Sequence, residues 1–409
     1  MRLAVVSPFV DRRHGTERAL AELVERLAGK YRCEVHLYAQ RVEDLAITSG
    51  RGAGAASCGA ISWHRVPCLP GPPVLQFIAW VFVNRAVRRW DAAFHSLTFD
   101  LVLSPGINCF DADVILVHAV FQRARELWRE EVQDPASRPG VLRRMHRGLF
   151  YRLLTLLERR IYTRAQTSLA TVSRRTAGQL AHYFQRDDVR VIPNGVDTGQ
   201  FSPSHRLARR AEARSRRNFR DGEFVLLLIG NAWHAKGLAT VLRAMGMLPD
   251  LPLRLMIVGS DEEEPFREIA ERLGILDRCQ WSSPDKDVLE FYAAADLYVG
   301  PSLEDSFGLP IAEAMACGLP VITSNSAGVA ELIRNGVDGF ILEELRGTKE
   351  LAGVIHRLQA DAELRTKIGE EAASAACEWT WDRNAAAVWK VLQDSAERLK
   401  RLHVQGVGM

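Results

Sequence analysis

Apolar positions along this chain fall into two alternating spacings. Leu3, Ala4, Val5 and Val6 form a continuous run, residues 11–18 are mostly polar, and Leu20, Leu23, Val24 and Leu27 then recur at i, i+3, i+4 and i+7. The first is the pattern of a strand buried on both faces, the second that of an amphipathic helix. Strand-like runs follow at 33–39, 100–106, 113–119, 168–173 and 189–197, with helical spacing between them. Residues 204–223 (SHRLARRAEARSRRNFRDGE) are polar and basic without a wide apolar face. After them the alternation restarts: EFVLLLIGN (223–231), GLATVLRAMGML (237–248), LRLMIVGSD (253–261), FREIAERLGI (266–275), DLYVGPS (296–302), IAEAMACG (311–318), PVITSNS (320–326) and VAELIRNG (329–336). Strands alternating with helices predict parallel, doubly wound α/β sheets. Two such series predict two Rossmann-like domains, 1–200 and 201–380, facing a cleft with ligands at the carboxyl ends of the strands. A last helical pattern at 381–399 is expected to pack back on the first domain.

The length of 409 residues suits two or three domains, each with its own core. With 47% apolar and 25% charged residues, disorder and fibrous repeats are not indicated. Seven cysteines form no CxxC pair, so neither disulfides nor structural zinc is expected and a reducing compartment fits. MRLAVVSPFV is too short an apolar run for a signal peptide, and VLQFIAWVFV (74–83) is too short to cross a bilayer; the expected location is the cytoplasm. The net charge of +3 is unevenly spread. Residues 1–200 carry 28 Lys and Arg against 19 Asp and Glu, a balance of +9, and residues 201–409 carry 25 against 31, a balance of −6. A basic first half suits an acidic partner or an anionic membrane face, or is a solvated surface. The segments 72–90 and 143–165 mix arginines with apolar and aromatic residues, as peripheral membrane contact requires, although helices packed on their own sheet would look alike. Nucleic acid is not an expected partner, because no recognised module is present.

Several signatures fail. No GxGxxG follows the first strand, where Gly15 stands alone, and GNAWHAKG (230–237) lacks the P-loop glycine before Lys236 and the Ser or Thr after it. Asp111 and Asp113 resemble a metal-binding acidic pair but stand where a turn ends at a strand. Two loops remain. Gly230, Asn231 and Lys236 follow a strand and open a helix, a setting that holds phosphate by backbone N–H groups, the helix dipole and a point charge. PSLEDSFGLPIAEAMACG (301–318) places Asp305 and Glu313 around a flexible turn. Carboxylates accept from paired sugar hydroxyls, while N–H groups of Ser306, Phe307 and Gly308 can meet a phosphate. A molecule half anion and half polyol, such as a nucleotide sugar, fits both.

Together with VIPNGVDTGQF, YAAADLYVGPS and SAGVAELIRNGVDGFIL, these stretches resemble the retaining GT-B glycosyltransferases of family 4, which include lipopolysaccharide-core glucosyltransferases and mannosyltransferases. The resemblance implies a GT-B fold and ribose contacts from Glu313. It places Asp305 against the transferred sugar, and backbone from Phe307, Gly308 and Leu309 on sugar and diphosphate. Lys236 matches the lysine that neutralises the diphosphate, Gly15 the first-loop glycine, and His118 a histidine near the reacting sugar. Two positions depart: Asn231 stands where arginine is usual, and Asp305 where glutamate is usual. The implied reaction moves a hexose, UDP-glucose being the favoured donor, to a hydroxyl of a surface glycan or glycolipid, with retention and without a cofactor or obligatory metal. An epimerase or hydrolase on the same architecture, or a non-catalytic nucleotide-sugar-binding subunit, is the alternative.

Overall fold

The continuous apolar runs become the central strands of two separate parallel sheets. The computed structural model describes residues 1–12, 15–47, 59–133 and 141–406. Two units divide the chain: Met1–Arg125, Gly140–Gly195 and Trp381–Met409 form one, Glu126–Pro139 and Val196–Thr380 the other.

The first unit runs β1 (Arg2–Val6), β2 (Phe9–Val10), α1 (Gly15–Gly29), β3 (Glu34–Ala39), β4 (Arg41–Val42), β5 (Ile61–Arg65), α2 (Pro73–His95), β6 (Leu101–Pro105), β7 (Val114–Val117), α3 (Phe121–Gln133), α4 (Val141–Tyr162), β8 (Ser168–Thr171), α5 (Arg174–Phe184) and β9 (Arg190–Val191). From Glu126 on, α3 belongs to the second unit. Seven strands lie in the order β5-β3-β1-β6-β7-β8-β9, every pair parallel, while β2 and β4 pair apart. Side chains alternate across a strand. Leu3 and Val5 therefore join the core beneath α1, and Ala4 and Val6 join the core beneath α2, α4 and α5. The last helix, α13 (Trp381–Gly406), contributes Ala385, Val388, Val391 and Leu392 to the α1 side and pairs Asp382 with Arg26 at 2.8 Å.

The second unit contains α6 (Pro203–Arg216), β10 (Phe224–Ile229), α7 (Leu238–Gly246), β11 (Leu253–Val258), α8 (Glu264–Arg272), β12 (Cys279–Ser282), α9 (Val288–Ala294), β13 (Leu297–Gly300), α10 (Leu309–Ala316), β14 (Val321–Ser324), β15 (Phe340–Leu342), α11 (Thr348–Ala360) and α12 (Ala362–Ala376). Its sheet has the order β12-β11-β10-β13-β14-β15, again all parallel. In β10, Phe224, Leu226 and Leu228 face the core under α7, α8 and α11; Val225 and Leu227 are equally buried on the other side.

Two expectations are corrected, and one segment has a structure that its apolar pattern did not indicate. The basic segment 204–223 is largely helix α6, because its guanidiniums replace an apolar face: Arg206 donates to the Cys317 carbonyl at 2.8 Å, Arg210 to the Ala295 carbonyl at 2.8 Å and Arg214 to the Glu223 carbonyl at 2.8 Å. The strand expected at 189–197 shrinks to the two residues of β9. VAELIRNG (329–336) forms no α-helix but a 3-10 turn, Gly328–Leu332, held by the loop that precedes α10.

Candidate functional site

In the second sheet the strand order reverses between β10 and β13. Connections leaving two such neighbours run to opposite faces, so their first residues diverge and leave room for a ligand. The two sequence-predicted loops, 230–237 and 301–308, are the ones that leave β10 and β13. Leu303 N–H donates to the Ala235 carbonyl at 2.7 Å, which ties them together. The loop after β14 joins through Asp305 N–H to Ser326 at 3.1 Å, Gly328 N–H to Asp305 at 2.9 Å and Val329 N–H to Phe307 at 2.7 Å. These bonds satisfy backbone groups that would otherwise be stranded at the sheet edge.

Glycine is required at two of the turns. Gly237 has φ +78°, and a Cβ there would lie 2.1 Å from the Pro301 carbonyl oxygen. Gly308 has φ +94° and turns the chain into α10.

Within this cluster Lys236 Nζ pairs with Asp305 Oδ2, the two side chains being 19% and 14% exposed. The other Asp305 oxygen accepts Phe307 N–H at 3.3 Å. The Phe307 amide is thus turned onto Asp305. Phe307 and Leu309 bury their side chains, whereas Ser306 is half-buried at the bend. Asn231 adds no charge; its Oδ1 accepts Ser260 N–H at 2.8 Å and links the loops after β10 and β11. The neighbouring Trp233 N–H donates to Asp261 at 2.9 Å. Glu313, in α10, is 3% exposed and accepts the Tyr292 hydroxyl at 2.7 Å. Burial, and then the Glu313 carboxylate, raise the Tyr292 phenol well above its ordinary range, so it stays a donor. Gly230, Asn231, Lys236, Asp305, Ser306, Phe307, Gly308, Leu309 and Glu313 therefore all lie in the second unit.

The other two predicted residues belong to the first unit. Gly15 opens α1. His118 follows β7; burial pushes its imidazole down to about 4, opposed by a backbone hydrogen bond at Leu116. It is neutral at pH 7. Asp111 pairs with Arg88 at 2.6 Å and Asp113 accepts Val102 N–H at 2.8 Å. Sequence reasoning missed the Ala235 carbonyl, Asp261 and Tyr292. None leaves a local signal, since Ala235 acts through its backbone and Tyr292 stands 21 residues from Glu313.

His118 shares its unit with a second displaced group. Glu158 caps α3 by accepting Phe121 N–H at 2.6 Å and Gln122 N–H at 2.9 Å, yet burial outweighs these bonds and raises it to about 8. Its contribution to stability is complete below the ordinary carboxyl value of 4.5 and is lost as pH rises through about 8. The lowered His118 acts oppositely: its contribution is complete above 6.5 and is lost as pH falls towards about 4. Between pH 6.5 and 8 only Glu158 titrates of the two, so the urea-unfolding free energy should drop by about 2 kcal/mol across that window. Glu158→Gln should flatten the slope; an equally steep variant would refute the assignment.

Comparison with known proteins gives the family. Residues 13–200 match the family described as Glycosyltransferase Family 4, and residues 209–375 match Glycosyl transferases group 1. The chain belongs to the family 4 glycosyltransferases. Its relatives include the D-inositol 3-phosphate glycosyltransferase of Paenarthrobacter aurescens (strain TC1), 30% identical over 252 residues, which are 59% of this chain and 60% of that protein. That of Corynebacterium jeikeium (strain K411) is 32% identical over 223 residues, 50% of this chain and 52% of that protein. The chain thus spans about half to three-fifths of the curated relatives it matches. Among solved structures, WaaG, a glycosyltransferase involved in lipopolysaccharide biosynthesis, superposes with TM-score 0.75 at 20% identity over 95% of this chain and 99% of that one. Anabaena Alr3699/HepE in complex with UDP and glucose gives 0.68 at 18% identity over 96% and 100%. The fold is GT-B.

Proposed function

We propose that the protein transfers a hexose from a nucleoside diphosphate sugar, UDP-glucose by preference, to a hydroxyl of a surface glycan or glycolipid, with retention of configuration and without an obligatory metal. What carries this reading is the Lys236 and Asp305 pair set between the diverging loops of β10 and β13, with Glu313 in the helix that follows. A departing diphosphate gathers negative charge, and Lys236 would turn from Asp305 to meet it. The acceptor hydroxyl would pass its proton to the leaving phosphate oxygen on the same face, so that the protein positions and neutralises and no carboxylate need act as nucleophile. Asp305 would then receive the sugar and Glu313, steadied by Tyr292, the ribose. For Gly15 and His118 the proposal rests on the family resemblance.

A thermal-shift panel of UDP-, GDP- and ADP-sugars tests the donor. A ligand at about 100 times its Kd adds roughly 2.7 kcal/mol to stability, so UDP-glucose should raise Tm by several degrees. No shift with any member would sink the proposal. Product NMR with a hydroxyl acceptor and chelator present should show the retained anomer; a hydrolysed or epimerised sugar, or binding without turnover, would favour the alternatives.

We further infer that the first unit rests on an anionic membrane. Helices α2 and α4 meet through Phe77 and Phe150, and they expose Phe82, Trp90 and Phe94 on one and Met145, Leu149 and Leu156 on the other. Leu156 is 68% exposed and is framed by exposed Arg152, Arg159 and Arg160 one turn away. Apolar side chains ringed by cations suit insertion at a headgroup boundary. Among the described residues no helix is long and apolar enough to cross a membrane. Co-sedimentation with phosphatidylglycerol vesicles should be strong at low salt, and Leu156→Ser with Arg159→Glu should weaken it about tenfold or more. Binding indifferent to salt and to both substitutions would dismiss this surface.

A further inference from the structure

The second unit has a pocket that the transfer reaction does not use. It opens where β13 and β14 begin, the opposite end of the sheet from the Lys236 loop, between α6 and α12. Its volume is about 340 Å³, and Arg206, Arg210 and Arg365 all line it.

Among the described residues no carboxylate forms an ion pair with Arg206 or Arg365. Asp296 pairs with both Arg210 and Arg214 and also accepts Val225 N–H at 2.8 Å. Arg210 also donates Nη1 to the Ala293 and Ala295 carbonyls at 3.4 and 2.8 Å. Glu370 stands exposed at the edge and, among the described residues, pairs with neither Arg206 nor Arg365. Arg206 commits only Nε, to the Cys317 carbonyl. Arg365 donates Nη1 to the Leu358 and Gln359 carbonyls at 2.6 and 3.0 Å and lies over the Phe224 ring at 5.3 Å, its other N–H groups having no hydrogen-bond partner among the described residues. Burial, and then the nearby Arg210, hold the Arg206 guanidinium below its usual range. A half-buried cation without a carboxylate of its own is costly, and two guanidiniums lining one pocket suit the oxygens of a phosphate.

We propose that this pocket is a second anion site, one that binds a small phosphate-bearing molecule through Arg206 and Arg365. The site lies at the carboxyl end of α10, the helix whose other end forms the loop of Asp305 and Gly308. The proposal is independent of what the protein transfers, and its test needs no sugar donor.

The probe is pyrophosphate, titrated calorimetrically at constant ionic strength into the full chain carrying Lys236→Ala, so that the candidate donor loop contributes little. One binding event is expected. Adding Arg206→Gln should lower its affinity about tenfold or more, the effect of losing a charge-assisted pair. Because Arg206→Gln also removes the bond to Cys317, Leu207→Glu is the deciding variant: Leu207 lines the same pocket, is 58% exposed, and as glutamate would repel the anion without breaking a bond. It should weaken binding several-fold. No binding in the Lys236→Ala chain, or an affinity unchanged by Leu207→Glu, overturns the proposal.

Discussion

Lys236→Ala should lower kcat/KM for transfer by about two orders of magnitude or more while leaving the protein folded. Loss of one preorganised charge at a developing anion costs roughly 3 kcal/mol or more. The structure makes the prediction more specific, because Lys236 is held against Asp305 and both are partly exposed. Removing the lysine strands one carboxylate that still accepts Phe307 N–H, so the stability cost should stay within about 1 to 2 kcal/mol. The expected signature is a large fall in kcat/KM with a small fall in Tm. Near-normal turnover in Lys236→Ala would refute the role given to this residue; a collapse of Tm matching the loss of activity would make the pair structural. The pair also bears on Asp305: a glutamate there would reach a methylene further, so Asp305→Glu should keep the ion pair and is the conservative control.

The second large effect is on the scaffold of the same site. Gly237→Ala should cost roughly 3 kcal/mol or more, since it combines a left-handed backbone with a collision. Gly237 has φ +78° and the added Cβ would sit 2.1 Å from the Pro301 oxygen and 2.9 Å from its carbonyl carbon. That contact joins the loops of Lys236 and Asp305, so relief requires them to part. Gly222 is the control: its φ is +86° but nothing lies within 4 Å of a Cβ there, and Gly222→Ala should cost only about 1 to 2 kcal/mol. Equal denaturation midpoints for the two variants would show that the loops yield without strain, and the close approach would lose its meaning.

How much of this was legible beforehand differs from element to element. β10 and α7 were readable because FVLLLI is buried on both faces and Leu238, Val241, Leu242 and Met245 repeat at helical spacing. The helix α6 was hidden, because periodicity counts apolar side chains and this helix docks through arginines onto backbone carbonyls. The turn at 328–332 looked helical for the opposite reason: Val329, Leu332 and Ile333 carry helical spacing, but Val329 N–H is captured by Phe307. In the candidate site, residue types and spacing pointed to Lys236, Asp305 and Glu313. Asn231 as a loop tie, the Phe307 amide turned onto Asp305, and Tyr292 behind Glu313 had no such trace.

By itself the amino-acid order determined the alternation of strands and helices, the two parallel sheets, and which loops carry phosphate-fitting and sugar-fitting groups, because these depend on local spacing and side-chain chemistry. Only the tertiary structure decided that β10 and β13 are neighbours, that Lys236 is paired with Asp305, and that α1 is the helix of the first unit which α13, expected to return there, meets. Strand order and charge pairing are set by contacts between residues far apart in the chain, such as the 69 positions separating Lys236 from Asp305, and no local pattern encodes which distant partner will be met.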